Sequence, residues 1–286
     1  ILYNSGYSTN YGVFSSILRP GDVAILDTYV HASVIDGCQN ARKLFFLHND
    51  VESLERALIK SQNHKNVLVI IDGVYSMDGD IAKLREIKDL VNSYNAYLAI
   101  DDAHGIGVLG TKGKGTQNQY DMDGAADLIT GSFGKALAGV GGFVCGKKEW
   151  MNYLELMSRP FLFSSSIPPG VVGALIKQID ILEAGEAPIQ RLWENTKYFR
   201  RLLLNEGYDL GSSETPIVPV ILKDEVKVIQ ICRRLQEKGV FVNPIIYPVV
   251  SKNKSRLRIS LTSGLSRSDL DFCFEMLKQS ELETTS

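Results

Sequence analysis

The chain has 286 residues, 44% of them hydrophobic and 22% charged, enough to bury a large core in two lobes and unlike a disordered or fibrous composition. A formal charge of −2 leaves no basic field for nucleic acid or an anionic membrane, so the electrostatics point to a small-molecule ligand. The four cysteines (Cys38, Cys145, Cys232, Cys273) lack Cys-x-x-Cys spacing and suggest neither a zinc site nor a disulfide framework; with no transmembrane-length apolar run and no signal-like start, a reduced cytoplasmic setting is the expectation. The chain opens without Met on Ile1-Leu2-Tyr3 and reads as a fragment entering mid-fold.

In chain order, short aliphatic or β-branched runs fall at 23–26, 43–47, 67–71, 97–100, 128–130 and 143–145, with amphipathic helical patterns such as 51–60 and 81–94 between them. That rhythm predicts an α/β fold with a mostly parallel sheet flanked by helices on both faces. After Pro168-Pro169 long helical patterns run from 170 to 204, broken around 185–188. Strands are then expected at 217–222, 240–242 and 257–261, and helices at 225–237 and 268–278. The expected division is a large domain over 1–169 and, over 170–286, linking helices with a smaller α+β domain, its last residues 284–286 a frayed tail.

In such sheets ligands sit at the carboxyl ends of strands, and polar residues gather there. Lys135 lies in a Ser-Phe-Gly-Lys turn between two apolar runs. Its flanking glycines allow close approach of a ligand and its neighbours suggest a desolvated floor, a setting for a Schiff-base lysine. The alternative is a loop lysine that only solubilises a turn. Asp101 ends the apolar run from Tyr97 and is costly to bury unless it meets a cation such as a pyridinium N–H; it could instead cap the next turn, or join Asp102 and His104 around a metal. Gly105-Ile-Gly107-Val-Leu-Gly110 matches a dinucleotide fingerprint, but a polar glycine-rich loop follows where a helix should start, which argues against a nicotinamide site. Ser5-Gly6-Tyr7-Ser8 leads to a helix expected over 11–18, a start that could cradle phosphate or be a simple cap. His31 could be a core histidine or a ring stacked on a flat cofactor, and the Ser76 hydroxyl could reach a ring substituent.

Taken together, SGYSTN, HASVIDG, DGVYSMDGD, DDAHGIGVLG, GSFGKALAGVGG, RPFLFSSSIPP and RLRISLT, in this order from Ser5 to about Lys278, resemble the α-oxoamine synthases, a family of fold-type I pyridoxal-phosphate transferases. The resemblance implies that Lys135 is the Schiff-base lysine, Asp101 the partner of the pyridine nitrogen and His31 the ring stacked on the cofactor. It implies that His104 and Ser76 bond near the ring's 3-oxygen, and that Gly6, Tyr7 and Ser132 hold the phosphate or its vicinity. Ser164 and Ser165 would reach the phosphate of a partner subunit in a homodimer with shared sites, and Arg258 would take the amino-acid carboxylate.

Ser132 and Ser165 stand where many members have Thr, which keeps the hydroxyl, and Leu265 stands where His is common, which removes a polar group. Family members also carry a substantial segment before SGY that this chain does not show. The activity implied is decarboxylative condensation of an amino acid with an acyl-CoA to an aminoketone. The stretch from Tyr208 to Pro219, with Val240 to Pro244, leans toward serine palmitoyltransferase. The alternatives are 2-amino-3-ketobutyrate CoA ligase, which Tyr247-Pro-Val-Val resembles more, and 8-amino-7-oxononanoate synthase. A catalytically inactive scaffold subunit would lack the lysine, and a metal- or nucleotide-dependent enzyme would need the ligand cluster or helix that the sequence fails to supply.

Overall fold

A computed structural model describes residues 1–285, which form two compact units: 1–75 with 82–186, and 76–81 with the chain from Ala187 onward. The first unit runs β1 (Leu2–Tyr3), α1 (Gly6–Ile17), β2 (Val23–Asp27), α2 (Ala32–Gly37), β3 (Arg42–Phe46), α3 (Val51–Ser61), β4 (Val67–Asp72), α4 (Leu84–Ser93), β5 (Tyr97–Asp101), α5 (Thr116–Gln119), β6 (Leu128–Ser132), β7 (Gly142–Gly146), α6 (Lys148–Met157), α7 (Arg159–Leu162) and α8 (Pro169–Ala184). Its seven-stranded sheet has the order β1-β7-β6-β5-β4-β2-β3. The strands from β6 to β3 pair in parallel, and β7 is antiparallel to both β6 and β1.

Strands covered on both faces must be apolar at odd and even positions alike, as VAILD, VLVIID and YLAID are. Successive side chains point to opposite faces. Ala24, Leu26, Leu68, Ile70 and Ala99 therefore pack with Val13 and Phe14 of α1 and Val34 of α2. Val23, Ile25, Val69, Ile71, Leu98 and Ile100 pack instead with Leu54 and Leu58 of α3 and Leu84, Ile87 and Val91 of α4. Each such buried aliphatic side chain contributes about 1.5–3 kcal/mol, so both layers are held mainly by burial. Asp50 fixes the start of α3 by accepting from Ser53 N at 2.8 Å.

The first unit continues past the expected boundary at 169 because α8 seats Leu175 against Phe133, Leu137 and Ile167. Leu175 is the buried residue of α8, while Ile176, Ile179 and Ile181 are exposed, as is Phe163 just before it.

The second unit contains α9 (Ala187–Asn205), β8 (Ile217–Lys223), α10 (Glu225–Glu237), β9 (Asn243–Ile245), β10 (Ser255–Ser260) and α11 (Arg267–Thr285), with β10 central in an antiparallel sheet β8-β10-β9. The strand expected at 240–242 is displaced: Val240 caps α10 by donating its N–H to Leu235 O at 2.8 Å, after Gly239 at φ +84°, and pairing begins at Asn243. The expected frayed tail is also corrected at Thr284, which lies in α11 with its hydroxyl on Ser280 O at 2.7 Å; Ser286 lies outside the described residues. The segment 76–81 packs with this unit. Gly79 O accepts from Thr215 N and Oγ1, and the fully buried Arg256 donates to Met77 O at 3.1 Å and to Asp78 Oδ1 at 2.7 Å.

Candidate active site

Parallel pairing sets the level of the site: Asp72 of β4 is opposite Asp101 of β5, which is opposite Thr130 of β6. Three polar side chains thus share one row at the carboxyl end of a sheet whose interior is aliphatic, and all three are buried. Asp101 Oδ2 accepts from Asn10 Nδ2 at 2.6 Å and Oδ1 from Ala103 N at 3.1 Å, so the turn-capping reading describes one of its two oxygens. Burial pushes its carboxyl upward, while the Asn10 and Ala103 donors, and then the neighbouring His31 and Lys135, pull it back. Asp72 is pushed well up, first by burial and then by the Asp101 charge.

His31 is the N-cap of α2. Its Nδ1 accepts from Ser33 N at 3.2 Å and faces Ser33 Oγ at 2.7 Å, and because a backbone N–H can only donate, the neutral ring carries its proton on Nε2. The ring is exposed, with Tyr7 edge-on to it at 6.4 Å between centroids; the Tyr7 hydroxyl bonds Asp36. The first helix begins at Gly6, five residues before the expected start, because Ser5 caps it by accepting from Ser8 N at 3.0 Å. Tyr7 and Ser8 therefore lie in its first turn. A Cβ on Gly6 would meet Ser132 Cβ at 2.8 Å and Oγ at 3.0 Å, so the start of α1 rests directly on the end of β6.

Lys135 follows in the β6–β7 connection, closed by Gly139 N on Phe133 O at 2.8 Å and Ala138 N on Lys135 O at 2.9 Å. The expected desolvated floor is corrected: Phe133 and Leu137 turn inward, whereas Gly134, Lys135 and Ala136 are exposed. Its charge is nonetheless near enough to stabilise ionised Asp101. His104 is half-buried in the turn after β5. Ser164 and Ser165 are exposed and line a cavity of about 210 Å³ together with Asn4 and Phe161.

Asp102 belongs to the scaffold and not to a metal site. It accepts from Thr116 N at 2.8 Å and Thr116 Oγ1 at 2.6 Å, and its carboxyl is pushed by burial up to about 7. A Cβ at Gly73, Gly105 or Gly115 would overlap its carboxylate oxygens, so the first glycine of the apparent dinucleotide fingerprint, with Gly73 and Gly115 from outside it, wraps this acid, while Gly107 and Gly110 lie against Ala136 and Asn118. Gly110 leads into a short 3₁₀ turn in place of the helix that a dinucleotide requires. Among the described residues no cluster of His, Cys, Asp and Glu could hold a metal ion.

Within the second unit, Arg258 is half-buried, donates Nη1–H to Ser76 O at 3.1 Å and has its buried Nε without a partner, which leaves guanidinium capacity for a carboxylate. Leu265, where the expected family position is polar, offers its carbonyl to Asn195 Nδ2 at 2.8 Å. Sequence reasoning passed over Asn10, Ser33, Thr130 and Asp72. Asn10 did carry a signal, since it stands on the apolar stripe of α1 with Val13 and Phe14 at i+3 and i+4.

Acids at the ends of parallel strands, a glycine-cushioned helix start and a lysine in the turn between the antiparallel β6 and β7 are the arrangement of a fold-type I pyridoxal-phosphate transferase. Asp101 fits that cofactor, because its buried carboxylate meets neutral donors at hydrogen-bond distance and burial leaves it in need of a cationic N–H. Residues 1–277 match the aminotransferase class I and II family. The chain is 44% identical over 274 residues to the 8-amino-7-oxononanoate synthase of Thermoanaerobacter pseudethanolicus, covering 95% of this chain and 69% of that one. It is 41% identical over 285 residues to 8-amino-7-oxononanoate synthase 1 of Bacillus subtilis, covering 99% and 73%. A serine palmitoyltransferase structure from S. paucimobilis with bound PLP superposes with a TM-score of 0.95 at 30% identity, covering 100% of this chain and 73% of that one. The chain belongs to the aminotransferase class I and II family and, within it, to the α-oxoamine synthases, which are pyridoxal-phosphate-dependent acyltransferases.

Proposed function

We propose that the protein is an 8-amino-7-oxononanoate synthase. The observation that carries this is its 41–44% identity to relatives of that name over 95% or more of the chain, against 30% for the serine palmitoyltransferase structure. The lean toward serine palmitoyltransferase is therefore withdrawn; the TM-score of 0.95 reports a shared fold, and substrate choice lives in the site. Cut at the bond that a decarboxylative condensation forms, the product is a methyl-bearing amine fragment plus a seven-carbon dicarboxylic acyl group. The substrates proposed are accordingly alanine and the corresponding acyl-CoA.

Bound pyridoxal phosphate supplies an electron sink for a carbanion at the amino acid's α-carbon. Asp101 keeps the ring nitrogen protonated, His31 covers the ring face, and the N–H groups at the start of α1 with Ser132 receive the phosphate. Lys135 Nζ carries the cofactor and moves the α-proton, His104 and Ser76 bond near the 3-oxygen, and Arg258 takes the carboxylate with its unpartnered Nε–H. A homodimer is part of the reading. Exposed Ser164 and Ser165, beside a helix that leaves Ile176, Ile179 and Ile181 uncovered, support a second copy on this face. Four free thiols support a cytoplasmic setting, and among the described residues no helix is long and apolar enough to cross a membrane.

The test is product analysis by mass spectrometry with the two substrate pairs. Alanine with the seven-carbon dicarboxylic acyl-CoA should give 8-amino-7-oxononanoate with a kcat/KM about a hundredfold or more above that for serine with palmitoyl-CoA. The reverse order would return the assignment to serine palmitoyltransferase.

A further inference from the structure

We propose that Asn10 is a positioning residue that sets the charge of Asp101 and, through Ser33, helps hold the His31 ring in place. Its amide is buried, and all of its groups are used. One Nδ2 hydrogen goes to Asp101 Oδ2 at 2.6 Å and the other to Ser33 Oγ at 2.9 Å, while Oδ1 accepts the Thr130 hydroxyl at 2.7 Å. The direction of each bond is fixed, because an ionised carboxylate can only accept and the Oδ1 partner is a hydroxyl that donates. Ser33 Oγ, having accepted from Asn10, is left with its own hydrogen for His31 Nδ1 at 2.7 Å. Two side chains proposed to grip one flat ring, one at its nitrogen and one at its face, are thus tied to a single amide on α1.

The consequence concerns where a proton rests. The inference depends on the proposed pairing of Asp101 with the cofactor's ring nitrogen. In that pair one proton is shared between carboxylate and nitrogen, and a donor on the carboxylate favours the form in which nitrogen holds it. The other charged and titratable groups facing Asp101 are Asp72 at the end of β4, Asp102 beside it, His31 and Lys135. Asp72 and Asp102 work against its negative charge when ionised, which makes the Asn10 donor the more needed. A packing role alone would require only a side chain of this volume.

The holoenzyme can be tested with pyridoxal phosphate labelled with ¹⁵N in the ring, whose shift separates pyridinium from pyridine. In Asn10→Leu, which keeps the volume and removes the donors, the shift should move toward neutral pyridine, corresponding to a change of about tenfold or more in the proton equilibrium. An unchanged pyridinium shift in a folded, cofactor-bound Asn10→Leu protein overturns the inference. If that variant fails to fold, Asn10→Ala decides instead, since it removes the same donors without placing a larger apolar group beside the carboxylate. A shift toward pyridine then supports the inference, and an unchanged shift overturns it. Asp101→Asn distinguishes the two levels: a pyridinium shift that persists there removes the Asp101 pairing itself, whereas one lost there but kept in the Asn10 variant removes only the role of Asn10.

Discussion

Asp72 and Asp101 face each other across β4 and β5, in register and both buried, but they are held differently: Asp101 has side-chain and backbone donors at 2.6 and 3.1 Å, and Asp72 has the His31 N–H at 3.4 Å. The same row of the sheet therefore presents one acid suited to carry charge and one suited to stay neutral. Asp101→Asn should keep the cofactor bound, since the amide fills the same space, while turnover falls by about a hundredfold or more, the equivalent of two pK units at the ring. Turnover within a fewfold of wild type would make Asp101 a turn cap only.

Asp102 predicts a pH effect on stability. Its carboxyl near 7 in the folded protein lies above the ordinary value of about 3.9 expected on unfolding, so unfolding releases a proton between those limits. Stability should fall as pH rises from about 4 to about 7 by up to about 1.4 kcal/mol per unit from this group, and level off above. Asp102→Asn keeps an acceptor for Thr116 and should flatten the slope, read as Tm against pH at fixed cofactor concentration. An identical slope in the variant would place the effect elsewhere.

Gly6→Ala should weaken cofactor binding about tenfold with little change in fold, because the new methyl presses on Ser132 where the phosphate is proposed to sit. Gly264→Ala, whose added carbon meets nothing nearer than Thr262 Oγ1 at 3.8 Å, is the control and should bind normally. Equal affinities for the two variants, measured by fluorescence titration, would detach the start of α1 from the phosphate.

Lys135→Ala should remove the visible absorption of lysine-bound cofactor and all turnover while leaving the fold intact, since the side chain is exposed. Mixed with a second inactive chain, in which Ser164 and Ser165 are both replaced by Trp, it should regain activity, because each mixed dimer assembles one site with both the lysine and the serines. Mixtures that exchange subunits and stay inactive would remove the shared site.

Most of the framework could be read from residue order. Runs such as VLVII, ahead of Asp72, are apolar at every position, which only a sheet covered on both faces tolerates, and the helix expected at 225–237 is α10. What escaped reading was long-range. Nothing local to Asn10 announces that Asp101, 91 positions away, will accept its hydrogen. Nothing near Val240 shows that capping will outcompete pairing there. The exposure of Lys135 was misjudged because its apolar neighbours, Phe133 and Leu137, turn the other way.

The enclosure of Asp102 has a bearing on how this protein can change. Gly73, Gly105 and Gly115 come from three separate stretches of chain yet answer to one carboxylate, so their freedom to vary is joint. A methyl at Gly73 or Gly105 would also meet Thr116 Oγ1, at 2.4 and 2.6 Å, and Gly115 holds φ +99°, so shortening the acid alone does not admit one. Change at Gly73 and Gly105 is therefore tied to both members of the hydrogen-bonded Asp102–Thr116 pair.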